Sequence, residues 1–232
     1  MQFLVKDAAK LFNVSEKTIY RWIAEAGLPA IRINKQYRFN KVELLEWATS
    51  HKVNVSPPSV AYAGAAGPLP PLSEALQAGG VHYRVGGMDK ESVLREVVSL
   101  LRMPDSMDRE FLLRILLERE AMGSTAIGDG IAIPHVRNPI VLKVSRPAIT
   151  LCFLEQPIDF HAIDGKPVGI LFTLISPTIR EHLHVLSSLA FALHDAAFKD
   201  VVLRQGSRDE ILSAARQVES SLAPLRDQRE ED

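Results

Sequence analysis

Apolar residues fall at helical spacing almost from the start of the chain. Ala8, Ala9, Leu11 and Phe12 predict a helix over 5–12, after which Asn13-Val14 turns the backbone into Ser15. Ser15 is a good N-cap, and behind it Ile19, Trp22 and Ile23 make the buried stripe of a second helix over 16–26. Lys17, Tyr20 and Arg21 lie on its other faces, with Tyr20 and Trp22 read as packing residues. Two short strand-like segments, 30–33 and 37–40, then flank Asn34-Lys35-Gln36 as a basic hairpin. Asn40 with Glu43 offers a capping-box start for a helix over 41–50, whose Val42, Leu45 and Trp47 can pack back on the core.

The pattern stops at 54–71, where Pro, Ala, Gly, Ser and Val dominate and no charged residue occurs. Such a stretch reads as a linker, spanning from about 23 Å as a coil to about 55 Å as an extended polyproline-like chain. Beyond it helices and strands alternate. Residues 90–102 and 108–120 are amphipathic helices, 148–154 and 168–175 are apolar strand runs, and helices follow over 180–197 and 208–222. Ser207 with Glu210 caps the last of these. The order predicts an α/β protein with a small N-terminal winged helix-turn-helix domain (1–53) and a linker (54–71). An α/β sandwich with a central mixed sheet (72–224) and a charged tail (225–232) complete the chain.

The net charge of −1 over 232 residues conceals a division. Residues 1–53 carry nine Lys/Arg against five Asp/Glu, a net +4, leaving 18 against 23, or −5, for the rest. A basic N-terminal unit suggests contact with nucleic acid. The single cysteine, Cys152, lies in the apolar run 149–154, so no intrachain disulfide can form and a reduced, cytoplasmic setting is expected, with the thiol buried and inert. The most apolar run, 168–175, is far short of a membrane span, which predicts a soluble protein without membrane insertion.

Candidate chemistry concentrates in Gly123-Ser-Thr-Ala-Ile-Gly-Asp-Gly-Ile-Ala-Ile-Pro-His135-Val-Arg137. Glycines at 123, 128 and 130 let the backbone turn and leave amide N–H groups to face an anion, which makes Gly130 a candidate phosphate-binding position. Ile131 to Ile133 read as a buried strand, and Pro134 ends the ladder where His135 projects into a cleft. A neutral imidazole supplies one nitrogen lone pair near neutral pH and can attack phosphorus. Later in the chain, His182 flanks the apolar face formed by Leu183, Leu186, Ala190 and Leu193. His184 is rotated by about 200° and is expected to meet solvent. The same divergence weakens His182-x-His184 as a metal pair; no metal site or cofactor is expected. His161 and His194 have no motif around them.

The run around His135 resembles the active-site signature of the enzyme IIA domains of the phosphoenolpyruvate-dependent phosphotransferase system, of the fructose, mannitol and nitrogen-regulatory type. The resemblance extends to Arg119-Glu120, Gly123-Ser124-Thr125, Asp164-Gly165-Lys166-Pro167-Val168 and His182-Leu183-x-x-Leu186, covering roughly 72–222. It implies that His135 accepts a phosphoryl group, that Arg119 lines the pocket, and that His182 orients His135 or hydrogen-bonds the phosphate. Thr125, in the matching segment, is a candidate phosphate donor of a hydroxyl hydrogen bond or else stabilises the turn. Arg119 alternatively pairs with Glu118 or Glu120 at a helix end.

The first 53 residues resemble the excisionase-like, MerR-related winged helix-turn-helix family. Ser15, Lys17, Thr18 and Arg21 sit along the front of the second helix, where its N-terminal half can enter a major groove, and Arg32, Lys35 and Arg38 in the wing can meet backbone phosphates or a minor groove. The alternatives are a solvated charged face or a protein-binding module.

Together these resemblances imply a cytoplasmic transcription regulator, of sugar or nitrogen regulation, that binds DNA and is phosphorylated by an HPr-type histidine phosphocarrier. Its chemistry would be phosphohistidine phosphotransfer rather than multiple-turnover metabolism. The alternative is a phosphocarrier that relays phosphate to an enzyme IIB, or to a regulatory protein target, for sugar uptake. Winged-helix proteins often pair on DNA, so a dimer is compatible with either.

Overall fold

The computed structural model of the protein describes residues 2–33, 36–51, 53, 69–105, 107–136 and 144–222. Lys35, most of the expected linker, Arg137 and the charged tail lie outside the described residues.

The N-terminal unit runs β1 (Gln2–Phe3), α1 (Val5–Phe12), α2 (Glu16–Glu25), β2 (Ile31–Ile33), β3 (Gln36–Asn40) and α3 (Lys41–Ser50). Asn13 ends α1 in the left-handed region at φ 52°, a conformation that asparagine tolerates better than most residues. Ser15 caps α2, its hydroxyl accepting from the Thr18 N–H at 3.2 Å. Antiparallel β2 and β3 form the wing, and β1 pairs with the other side of β3. Phe12, Ile19, Leu28 and Phe39 are buried together. Over them the rings of Trp22 and Trp47 stand 5.2 Å apart, and the Trp47 indole N–H is satisfied by the Ala26 carbonyl at 2.9 Å. Tyr20 corrects one expectation. It is 50% exposed, resting edge-on against Tyr37 of the wing at 6.0 Å, and so belongs to the surface between α2 and the wing.

The C-terminal unit begins with α4 (Leu72–Gly79) and β4 (Val81–Val85), then α5 (Lys90–Leu100) and α6 (Arg109–Ala121). The hairpin β5 (Ala126–Gly128) and β6 (Ile131–Ala132) precedes the long strands β7 (Ala148–Ile158) and β8 (Val168–Ile175). Helices α7 (Ile179–Ala192), α8 (Ala196–Leu203) and α9 (Arg208–Leu222) complete it. The five-stranded sheet has the order β4-β7-β8-β6-β5 and is mixed: β4 runs parallel to β7 and β6 parallel to β8, while the β7–β8 and β5–β6 pairs are antiparallel.

Alternation along the two long strands explains the sandwich. Ile149, Leu151, Phe153, Ile170, Phe172 and Leu174 enter one apolar layer with α4, α7 and α9. Cys152, Leu154, Leu171 and Ile175 enter the other with Val93, Leu94, Leu112 and Leu116 of α5 and α6. A strand covered on both faces reads as a continuous apolar run, which is why 148–154 and 168–175 stand out in sequence. Each fully buried Phe or Leu here contributes about 1.5–3 kcal/mol of transfer free energy. The helix expected over 180–197 is instead two helices. Asp195 caps the second, accepting from the Phe198 N–H at 2.9 Å, and this competes with continuation of α7.

Candidate functional site

His135 lies just beyond β6, where the chain still follows the sheet. The Pro134 carbonyl accepts from the Leu174 N–H at 3.0 Å, and His135 makes an isolated parallel bridge to Leu174 of β8. The imidazole is therefore carried by the sheet rather than by a free loop. Its Nδ1 lies 2.7 Å from the Ile133 carbonyl oxygen. A carbonyl only accepts, so Nδ1 bears the proton and, in the neutral ring, the lone pair is on Nε2. In that tautomer Nε2 is the nitrogen able to act as a nucleophile.

The His182 ring, from the first turn of α7, stands 5.4 Å from the His135 ring at a tilt of 46°. Residues 47 apart in sequence thus meet because β6 and α7 converge at one end of the sheet. Both rings are enclosed, with His135 2% and His182 0% exposed, so His135 does not open into a cleft here. His184 departs from its expected place in solvent: it is also buried, and its Nε2 lies 3.1 Å from the Pro70 carbonyl. Residues just before α4 cover that flank of α7, a contact that helix periodicity alone does not reveal.

Arg119 and Thr125 flank the turn that leads from α6 into β5. Arg119 is buried near the end of α6 and donates from Nη1 to the Gly123 carbonyl at 2.8 Å, so its planar fork braces the turn into β5. Thr125 is tied to β6 by its carbonyl, which accepts from the Ile133 N–H at 3.0 Å. Its own hydroxyl donates to Glu120 Oε2 at 2.6 Å, and its N–H donates to the same carboxylate. Lys90 Nζ approaches Glu120 Oε1 at 3.2 Å. In this arrangement the Thr125 hydroxyl proton serves Glu120 rather than an external anion. Buried Glu120 and partly buried Lys90 form a bracket that residue-level reading did not single out; Glu120 beside Arg119 was the available sign.

Gly130 belongs elsewhere. Gly128, Asp129 and Gly130 take φ of 88°, 54° and 74°, a left-handed run that two glycines make feasible and that reverses the chain between β5 and β6. The turn is at the far end of β6 from His135, about 16 Å away for five extended residues. The Asp129 N–H donates to Asp164 Oδ2 at 2.9 Å, and that bond is the main reason the Asp164 carboxyl is held below its ordinary range. Lys199 and Lys166 reach Asp129 at 2.7 and 3.3 Å. The Thr125 and Asp129 amides of this loop face the protein's own carboxylates, Glu120 and Asp164. The Asp164-Gly165-Lys166 segment anchors the turn and does not line the imidazole.

In the N-terminal unit, Ser15, Lys17, Arg21 and Arg32 are exposed, while Thr18 and Arg38 are half-buried. Ser15 and Thr18 hydroxyls bond each other at 2.9 Å as part of the helix cap. Arg32 lies 5.9 Å over the Tyr37 ring, and Arg38 donates to Gln36 at 3.2 Å. Among the described residues, no three His, Cys, Asp or Glu side chains are placed to hold a metal ion, and no helix is long and apolar enough to cross a membrane.

The family model for the phosphoenolpyruvate-dependent sugar phosphotransferase system, EIIA 2, matches residues 74–217. The chain belongs to that family. A helix-turn-helix domain model matches residues 5–52 of the same chain, so the protein joins a helix-turn-helix domain to an EIIA domain. The EIIA region is 36% identical over 132 residues to the nitrogen regulatory protein of Pseudomonas aeruginosa, covering 56% of this chain and 84% of that one. It is 29% identical over 149 residues to the fructose-specific EIIABC component of Bacillus subtilis, covering 63% of this chain and 23% of that one. Among solved structures, the nitrogen regulatory protein IIA-Ntr of Neisseria meningitidis superposes with a TM-score of 0.54 at 29% identity, covering 62% of this chain and 98% of that one.

Proposed function

We propose that the protein is a DNA-binding transcription regulator whose EIIA domain accepts a phosphoryl group on His135 from an HPr-type histidine phosphocarrier. The observation that carries this reading is the Nδ1 bond to the Ile133 carbonyl, which leaves Nε2 as the nucleophile beside His182. In the transfer, the Nε2 lone pair forms a new N–P bond while the N–P bond of the donor phosphohistidine breaks. The donor imidazole leaves with that electron pair and later takes a proton. His182 serves as the neighbour that orients His135 or hydrogen-bonds the transferred group. Arg119 holds the approach, and Thr125 joins the phosphate contacts only by giving up its bond to Glu120.

The N-terminal domain supports the DNA arm through charge that is presented outward. Lys17 and Arg21 on α2, with Arg32 and Arg38 on the wing, form a basic front on which phosphate contacts set position. Names of relatives such as "nitrogen regulatory protein" favour the nitrogen branch of the system over a sugar branch. The EIIABC relative keeps the second reading in view, in which His135 passes its phosphate onward to an enzyme IIB.

The test is transfer of labelled phosphate from phosphoenolpyruvate through enzyme I and both general and nitrogen-branch carriers, followed by DNA binding at low salt. Stable label lost with His135→Ala, together with DNA binding, is the expected result. Failure to bind any DNA at low salt overturns the regulator reading, and rapid onward transfer to a sugar favours the relay.

A further inference from the structure

Helix α3 is buried more widely than its own domain explains. Trp47 faces inward, with its ring 6.1 Å from Phe12 and 5.2 Å from Trp22. Leu45 points about 160° away from Trp47 around the helix. Yet Leu45 is 0% exposed, as are Leu44 and Ala48. Apart from β3, which leads directly into it, the elements packed most extensively on α3 are α7 and β5 of the EIIA domain. Leu45 shares its apolar cluster with Leu183, Leu186 and Leu189 of α7. One continuous apolar cluster accordingly holds Phe12, Leu44 and Ala48 together with Leu183, Leu186 and Leu189.

The covered elements are those that build the candidate site. Helix α7 carries His182, and β5 follows directly on Thr125. A protein phosphodonor must bring its own phosphohistidine in line with Nε2, which a ring 2% exposed does not permit. The exposed Lys17, Arg21 and Arg32, by contrast, remain outside the contact.

We infer that the face of the EIIA domain around α7 and β5 is the docking surface of the helix-turn-helix domain, and that the docked domain and the phosphate donor compete for it. This rests on His135 being the phosphoacceptor. Docked, the DNA-binding domain is held in one orientation with its basic front free; phosphorylated, it is released to the reach of its connecting segment. Thermodynamic linkage makes the coupling reciprocal: DNA that prefers the docked chain makes phosphorylation of His135 less favourable at equilibrium, and phosphate on His135 weakens that DNA complex by the same factor.

The experiment uses the full chain, comparing wild type with Leu45→Glu in label transfer from phosphoenolpyruvate through enzyme I and its carrier. Amide hydrogen exchange of 41–50 and 126–128 is read before and after phosphorylation. A docked state favoured tenfold over the open one slows transfer by about tenfold, so Leu45→Glu should restore about that factor. Wild-type amides in both segments should exchange faster once phosphorylated, with β7 and β8 unchanged. Because Trp22 and Trp47 are the chain's two tryptophans and both belong to the DNA-binding domain, native tryptophan emission checks that the variant still folds there. Should it not, the wild-type exchange measurement decides alone. Equal transfer rates in a folded variant, or exchange that phosphorylation leaves unchanged, overturn the competition and leave the phosphoacceptor intact. Absence of label from both chains overturns the phosphoacceptor reading itself, and the competition with it.

Discussion

In the EIIA domain the polar groups of interest are inside. His135, His182, Arg119, Thr125 and Glu120 are all buried, each held by a bond or ring contact within the fold. In the helix-turn-helix domain they are outside. Lys17, Arg21 and Arg32 stand on the surface of a small core closed by Phe12, Trp22 and Trp47. The difference fits the two proposed tasks. Phosphoryl transfer to nitrogen requires one tautomer at one place, which a dry, bonded environment enforces. Holding DNA by its phosphates requires charge at roughly the right spacing, which a solvated surface provides without fixing each side chain.

That contrast can be broken most forcefully at Glu120. Replacing it by Ala strands the buried Thr125 N–H and hydroxyl and leaves the partly exposed Lys90 ammonium without that partner, and should cost about 2–4 kcal/mol. Urea unfolding followed by circular dichroism reads that loss. A cost under 1 kcal/mol would mean that the bracket contributes little to the EIIA core.

On the outer side, removing Lys17 and Arg21 together should weaken binding across DNA sequences. The slope of log affinity against log salt should fall by about 2, one for each phosphate contact. An unchanged slope would move those residues off the DNA face. The fold of that domain depends more on its cap: Ser15→Ala removes the acceptor for the Thr18 N–H and should cost about 1 kcal/mol by thermal unfolding followed through tryptophan emission.

The effects smallest near neutral pH are those of titration. Burial pushes the Cys152 thiol up to about 12, so it should resist alkylation in the native protein at pH 8. Its folded pKa lies above the ordinary 9.0, so the unfolded chain ionises first and stability should decline as pH rises beyond 9. Glu210 has the opposite sign. The Arg204 side chain, followed by the Ser207 bonds, holds it at about 2; its contribution is complete above the ordinary 4.5 and is lost as pH falls through about 2. Acid titration of Glu210→Gln, which should lack that component, separates it from the other carboxylates.

How much of this was legible in sequence depends on the range of the interactions. Strand β8 was readable because both its faces are apolar, and α9 because Ser207 and Glu210 announce its start. Of the β5–β6 hairpin only the apolar run that becomes β6 was readable; β5 was not, because Gly-Ser-Thr-Ala-Ile-Gly-Asp-Gly carries no alternation and the strand is three residues long. The meeting of His135 with His182 was anticipated only through resemblance and helix phase. The burial of His184 depends on Pro70, 114 residues away, and no local pattern encodes it. The same holds for Leu45, an apolar residue that looked like part of its own domain's core.

The most direct test of the account is the position of phosphate on His135, read by nitrogen and phosphorus NMR of the full chain after transfer from the carrier. The Ile133 carbonyl holds the proton on Nδ1, so the account predicts phosphate on Nε2 alone, with no signal in His135→Ala. Phosphate on Nδ1, or on another histidine, would contradict it.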